Sequence, residues 1–83
     1  MTPLGMLDTL DAALADARER RLRGHDVALR TYGPKHVLGV TGEAVDGDDG
    51  RRVVLFTVRQ VRRMRKTLLG ALREEAQDPS LPL

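Results

Sequence analysis

The chain has 83 residues, 41% of them hydrophobic, and contains no cysteine. A chain of this length builds one hydrophobic core rather than two, and without cysteine it forms no disulfide, thiol nucleophile or thiolate metal site. The formal net charge is only +2, so electrostatic attraction to a partner has to come from the distribution of the charges.

The first predicted element is a helix over residues 3–23. Thr2 has the side chain of an N-cap, Pro3 suits the first helical position, and Gly24 provides a stop at the C-terminal end. Between these signals, apolar side chains recur at the spacing of one helix face, at Leu7, Leu10, Leu14 and Ala17. The arginines late in this helix complement its dipole and need no ligand to explain them.

The next segment is predicted to form three strands, because the hydrophobic period changes from helical to alternating. The first strand covers residues 27–30 and ends at a proline turn, residues 32–35. The second covers residues 36–45 and leads into a hairpin loop rich in aspartate and glycine, residues 46–50. The third covers residues 51–57 and is the most apolar, which predicts that it is the central or best-buried strand.

A second helix is predicted to begin at Thr57, because Thr57 and Gln60 have the spacing of a capping box. Its apolar positions continue for about five turns, and an Asp-Pro pair after residue 77 ends it. The order of elements predicts an α+β fold: a helix, a three-stranded antiparallel meander and a helix, with both helices on one face of the sheet. We expect residues 1–77 to form this single domain and residues 78–83 to form a flexible C-terminal tail.

A five-stranded Sm-like barrel is the alternative to this meander. Its pattern is loosely matched by Val27, Leu29, Gly33, Gly39 and Asp46. Only about 32 residues lie between the two predicted helices, which is too few for five strands of ordinary length and their turns. The length of this segment therefore favours three strands.

The second helix carries a stripe of like charge. From residue 50 to residue 73 the sequence has eight cationic residues and no aspartate or glutamate. On a helical projection, five of them share one arc beside the apolar face: Arg59, Arg62, Arg63, Lys66 and Arg73. Arg65 falls within the apolar arc, so it has to extend to solvent, pair with an acid or face a partner. Like charges four residues apart repel, which favours an external anion, although a charged face also serves solubility alone.

The turn at residues 33–36, Gly-Pro-Lys-His, resembles the Gly-Pro-x-His turn of the double-stranded RNA-binding domain, a family that also runs helix, three strands, helix. The resemblance implies that Lys35 and His36 enter a minor groove. It also implies that basic residues early in the second helix stand near the family's phosphate-binding lysines, namely Arg59, Arg62, Arg63 and Lys66. Without the resemblance, residues 33–36 are typical of a proline-initiated turn that leads into a strand.

Signatures of catalysis and metal binding are few. The chain has only two histidines and has no nucleophile elbow, P-loop or dinucleotide fingerprint. Asp46 and Asp48 match the first positions of a calcium loop, but Gly50 and Thr57 replace its oxygen ligand at position five and its bidentate glutamate at position twelve. The sequence therefore favours a protein that is not an enzyme and has no cofactor or metal.

Two functions are compatible with these features. The first is a small nucleic-acid-binding or nucleic-acid-associated regulatory domain that contacts backbone phosphates, with duplex favoured because two aromatic residues offer little base stacking. The second is a protein–protein interaction module or homodimeric adaptor that uses the arginine stripe or a sheet edge. The candidate binding residues are Lys35, Arg51, Arg52, Arg59, Arg62, Arg63, Arg65, Lys66 and Arg73. No leader or membrane-spanning run is evident, so we expect a cytoplasmic protein without a membrane partner.

Overall fold

The computed structural model describes residues 2–76, which form two helices and five short strands. In chain order these are α1 (Pro3–Glu19), β1 (Val27–Thr31), β2 (His36–Val37), β3 (Val40–Thr41), β4 (Glu43–Asp46), β5 (Arg52–Thr57) and α2 (Val58–Ala76). The predicted α+β class is confirmed, because both helices pack against an antiparallel sheet. Among these residues, no helix combines the length and apolar character that crossing a membrane requires. The tail predicted at residues 78–83 lies outside the described residues.

α1 begins as predicted and ends four residues earlier, at Glu19 instead of residue 23. Thr2 caps the helix by accepting a hydrogen bond from a first-turn amide at 3.1 Å. At the other end, Arg21 adopts a left-handed conformation with a φ of 57°. The amide of Leu22 then donates to the carbonyl of Ala17 at 2.8 Å, which is the bond of a Schellman motif. Arg21 therefore occupies the left-handed position after the C-cap, where glycine is usual.

The sheet has β5 at its centre, paired antiparallel with β1 on one side and with β4 on the other. The prediction of a central strand at residues 51–57 is confirmed. The strand order differs from a meander, because residues 36–45 divide into a separate β2–β3 hairpin and β4, and β1 pairs directly with β5. Five strands fit between the helices because β2 and β3 have only two residues each. The prediction of three strands assumed strands of ordinary length.

A two-residue turn, formed by Leu38 and Gly39, produces this division. The two φ angles are 50° and 77°, and positive φ at both central positions defines a type I′ turn, whose twist suits a tight hairpin. A leucine in the left-handed region costs about 1 kcal/mol. The side chain of Leu38 packs against the core, and burial of its apolar surface offsets that cost. The alternating pattern does not reveal the turn, because leucine is not typical of it.

The core lies between the two helices and one face of the sheet. Its buried members are Leu10, Ala13, Val40, Val54, Phe56, Val61, Met64 and Leu68. Val54 and Phe56 share one face of β5 because alternate residues of a strand point the same way, and this is the face that meets both helices. The helices thus lie on one face of the sheet, as predicted, and no described helix covers the opposite face, where Val53 is buried and Leu55 is half-buried.

α2 begins with the predicted capping box. The amide of Gln60 donates to Thr57 Oγ1 at 3.2 Å, and the amide of Thr57 donates to Gln60 Oε1 at 2.9 Å. The two amides between them donate to carbonyls of the α1–β1 connection, so the first amides of the helix have partners. Gln60 Nε2 also donates to the carbonyl of Thr41 at 2.9 Å, which ties the β2–β3 hairpin to the start of α2.

Replacing Thr57 with alanine is expected to lower the free energy of unfolding by about 1 kcal/mol. The substitution removes the acceptor of the Gln60 amide. Chemical denaturation followed by circular dichroism measures the change, and Thr57→Ser, which keeps the hydroxyl, is the matched control. Equal destabilisation by the two substitutions would contradict a role for the hydroxyl.

Candidate functional site

A groove runs between α1 and α2, which lie side by side and antiparallel. It encloses about 800 Å³. Its charged lining residues are Asp11, Arg18, Arg62, Arg65, Lys66 and Arg73, and its apolar or small ones are Leu14, Ala15, Leu69 and Gly70. The two leucines are half-buried, whereas the cations other than Arg65 are exposed. Charge therefore lies along the rims of the groove and apolar surface along its floor.

The stripe on α2 reaches this groove because of its spacing. Arg62, Lys66 and Arg73 are separated by four and seven residues, which places them on one flank of a helix. That flank adjoins the apolar face, so it is brought next to α1 when the apolar face packs on the sheet. Arg18 of α1 faces it from the other rim. Cations of both helices thus converge on the same space.

Arg65 is paired with an acid, which is one of the three arrangements predicted for it. Its Nε donates to Asp11 Oδ1 at 2.5 Å, joining α2 to α1. The two side chains are 42% and 46% exposed, so solvent screens the pair and its contribution to stability is at most about 1 kcal/mol. The pairing neutralises Arg65 and the one acid that lines the groove.

The remaining cations of the groove keep their charge available. Within residues 2–76, none of Arg18, Arg62, Lys66 and Arg73 forms an ion pair. Arg62 and Lys66 are also one helical turn apart, a spacing at which like charges repel. An anion placed between the rims would relieve this repulsion and would meet donors from both helices.

A second, smaller groove of about 300 Å³ continues the first toward the C-terminal end of α1. It shares Leu14, Arg18 and Arg62 with the first groove and adds Arg21. We call the two together the interhelical channel. From the level of Arg62 to that of Arg73 the channel follows eleven residues of α2, or about 16 Å of helix axis.

The other predicted binding residues lie outside the interhelical channel. The guanidinium group of Arg59 lies over Gly24. A Cβ built on Gly24 would be 3.6 Å from Arg59 Nε. Arg63 is exposed and does not line the channel. Of the nine predicted residues, the channel brings together four, namely Arg62, Arg65, Lys66 and Arg73. The structure does not bring the other five to it.

Three of those five are on the sheet side of the molecule. Arg51 and Arg52 lie at the start of β5, at the opposite end of that strand from α2. Arg51 Nε is 3.7 Å from Asp49 Oδ2, so the acidic hairpin loop partly neutralises it. Lys35 immediately precedes β2 and is exposed. These residues do not extend the channel.

Arg18 and Arg21 are the channel residues that the sequence does not single out. The dipole of α1 is a sufficient explanation for basic residues near its end, so nothing marked them as part of a site. The available signal is that Arg18 follows Leu14 by four residues, on the flank of the leucine stripe. Only the packing of the two helices shows that this flank faces the cations of α2.

The channel has the composition of an anion-binding surface with an apolar floor. Guanidinium groups bind phosphates and carboxylates through paired hydrogen bonds. No protein-family model, curated protein or solved structure matches the chain. The resemblance to the double-stranded RNA-binding domain therefore stays a prediction, and the function has to be inferred from the channel itself.

Proposed function

We propose that the protein binds duplex nucleic acid through its backbone phosphates, which the interhelical channel receives. The observation that carries the proposal is the convergence of Arg18, Arg62, Lys66 and Arg73 from two helices, without an ion pair among the described residues. Four cations held on a packed pair of helices form a fixed pattern of charge. A partner with a regular row of anions uses all of them at once.

The length of the channel suits such a row. Phosphates along one strand of a duplex follow each other at about 3.4 Å along the axis and are farther apart along the winding backbone, so about 16 Å of channel matches a few successive phosphates. The exposed arginines can each take a phosphate bidentately, whereas Lys66 acts as a point charge. Contacts of this kind supply affinity without choice of sequence.

The position of the aromatic residues supports duplex over single-stranded ligands. Phe56 is buried in the core, and Tyr32, which is 69% exposed, does not line the channel. Stacking of bases on aromatic side chains is a main source of affinity for single strands. Without it, affinity depends on the density of phosphates, which is higher in a duplex.

Fluorescence anisotropy with duplex RNA, duplex DNA and both single strands, measured over a range of salt concentrations, tests the proposal. For four phosphate contacts we expect the logarithm of the binding constant for duplex DNA to fall with the logarithm of salt concentration with a slope of about −3.6. Both duplexes should bind more tightly than the single strands. An affinity that does not depend on salt would sink the proposal.

Replacing Asp11 with asparagine is expected to tighten duplex binding about fivefold, because it removes a negative charge beside the phosphates, worth about 1 kcal/mol at close range in water. It also releases Arg65 as a further cation. Stability should fall by no more than about 1 kcal/mol, as for other exposed ion pairs. Anisotropy and chemical denaturation measure the two effects. Asp8→Asn, an exposed acid outside the channel, makes the same change in net charge; equal tightening by both would contradict the assignment.

A second candidate function is the binding of an acidic amphipathic helix of another protein. The apolar floor favours it, because Leu14 and Leu69 would be covered by apolar side chains while the rims pair with carboxylates. Affinity capture from a lysate treated with nuclease separates the candidates. Recovery of one stoichiometric protein that competes with duplex for the channel favours the second, whereas nuclease-sensitive recovery of nucleic acid favours the first.

A further inference from the structure

The face of the sheet opposite the helices carries a charge pattern that is complementary to itself. Leu55 lies at its centre, with Arg30 directly beside it on β1 and Glu43 directly beside it on β4. The three side chains point away from the core, because they alternate with Val54 and Phe56 along the register. A cation, a leucine and an anion thus form one row across the sheet.

The two charges of this row have no partners within the described part of the chain. Neither Arg30 nor Glu43 takes part in an ion pair there, and both are exposed. Their backbones are two strand spacings apart, about 9.5 Å, and the two side chains form no ion pair with each other. Both charges are therefore available to a partner outside the described chain.

The same face also presents apolar surface. Leu55 and Val45 are only half-buried on it, and Val27, opposite Thr57 in the register, is 41% exposed. Tyr32, in the bend that follows β1 and outside the paired register, is also 69% exposed. These two are among the three large hydrophobic residues that the described chain exposes. An apolar centre flanked by charges is typical of a protein–protein contact.

We propose that this face, centred on the row Arg30, Leu55 and Glu43, is the interface of a two-fold symmetric homodimer. A two-fold axis parallel to the strands, midway between two sheets stacked face to face, brings Leu55 against Leu55 of the second copy. It places Arg30 of each copy opposite Glu43 of the other. A two-fold axis perpendicular to the strands would instead place like charges together. The charges therefore select the first arrangement, in which strands of the two copies run nearly parallel, as in aligned sheet packing.

The size of the face sets the expected strength. Three short strands at a spacing of about 4.8 Å cover roughly 15 by 15 Å, well below the area of about 800 Å² per partner in a standard interface. The dimer is therefore weak and concentration-dependent. In it, the helices of the two copies lie on the outer sides, so the two interhelical channels face away from each other.

Sedimentation equilibrium of the full chain without nucleic acid, from micromolar to millimolar concentration, tests the dimer independently of the proposed function. We expect a transition from 9.2 kDa to twice that mass. Arg30→Glu or Glu43→Arg alone turns both symmetric ion pairs into like-charge pairs, which raises the dissociation constant at least about tenfold. The double variant Arg30→Glu with Glu43→Arg restores opposite charges and should return the constant to within about threefold of the original.

Lys35→Glu is the control, because it changes the net charge like Arg30→Glu at an exposed residue outside this face. It should leave the dissociation constant nearly unchanged. Circular dichroism of each variant confirms that the fold is kept. A chain that stays monomeric at the highest concentration overturns the proposal. So does a dimer that responds equally to all variants or to none, because such a dimer forms elsewhere, for example along the free edge of β1.

Discussion

Replacing Gly42 with alanine is expected to lower the free energy of unfolding by about 2 kcal/mol, the cost typical of overpacking a core. Gly42 directly precedes β4 and lies against β5. A Cβ at this position would stand 2.6 Å from Val54 Cγ1, 2.7 Å from Phe56 Cε1 and 2.9 Å from the carbonyl oxygen of Leu55. Val54 and Phe56 are themselves buried, and the carbonyl belongs to the central strand, so none of the three groups can move aside freely.

Thermal and chemical denaturation measure this effect. For a domain of this size the loss corresponds to a fall in melting temperature of about 8 to 16 °C. Gly33→Ala is the matched control, because no atom lies within 4 Å of a Cβ built on Gly33. We expect its stability to stay within about 0.5 kcal/mol of the original. If both substitutions had the same effect, the loss at Gly42 would come from the glycine backbone and not from contact with β5.

The features of the fold that were predicted from the sequence are the local ones. The run of apolar residues in β5, the N-cap Thr2 and the capping box of Thr57 and Gln60 each depend on a few neighbouring residues. All of them occur in the structure. These features were predictable because a cap and a hydrophobic period are properties of a short segment, although the backbone hydrogen bonds of β5 are made to β1 and β4.

The observed strand order differs from the predicted meander, because strand order depends on contacts between distant residues. The pairing of β1 with β5 joins Thr31 to Val54, and nothing in either segment marks the other as its partner. The turn at Leu38 and the end of α1 at Arg21 were missed for a related reason. Both residues have positive φ, which sequence patterns assign to glycine or asparagine. At Leu38, packing against the core overrides that preference, whereas Arg21 is exposed and its conformation accompanies the Schellman hydrogen bond at the end of α1.

The part of the candidate site that lies within one helix was predicted, whereas the part that depends on contacts between the helices was not. The spacing of Arg62, Lys66 and Arg73 within one helix was sufficient to place them on one stripe. The position of Arg65 in the apolar arc left three arrangements open, of which pairing with an acid is the one observed. The identity of that acid, Asp11, and the contribution of Arg18 depend on which flank of α1 meets α2. The shapes of the side chains along the whole helix–helix contact determine which flank of α1 meets α2. The charge pattern of one helix does not specify that flank.

Reversing the two central cations of the channel, by Arg62→Glu with Lys66→Glu, is expected to weaken duplex binding by about 100-fold or more. Each residue loses a charge-assisted hydrogen bond to phosphate worth about 1.5 kcal/mol or more, and each introduces repulsion. The slope of the logarithm of affinity against that of salt should also decrease in magnitude by about 1.8, which corresponds to two lost phosphate contacts. Anisotropy at several salt concentrations measures both quantities. Both side chains are exposed, so circular dichroism and stability should change little.

A control with the same change in net charge decides whether the channel or the overall charge is responsible. Lys35→Glu with Arg51→Glu alters two exposed cations that do not line the channel. At physiological ionic strength, charges more than about 8 Å from the ligand are largely screened, so this pair should weaken binding less than about tenfold. An equal loss in both double variants would mean that binding follows net charge alone. Full affinity in Arg62→Glu with Lys66→Glu would show that the duplex does not bind at the channel. Those two residues occupy its centre, so a ligand that contacts the rims also contacts them.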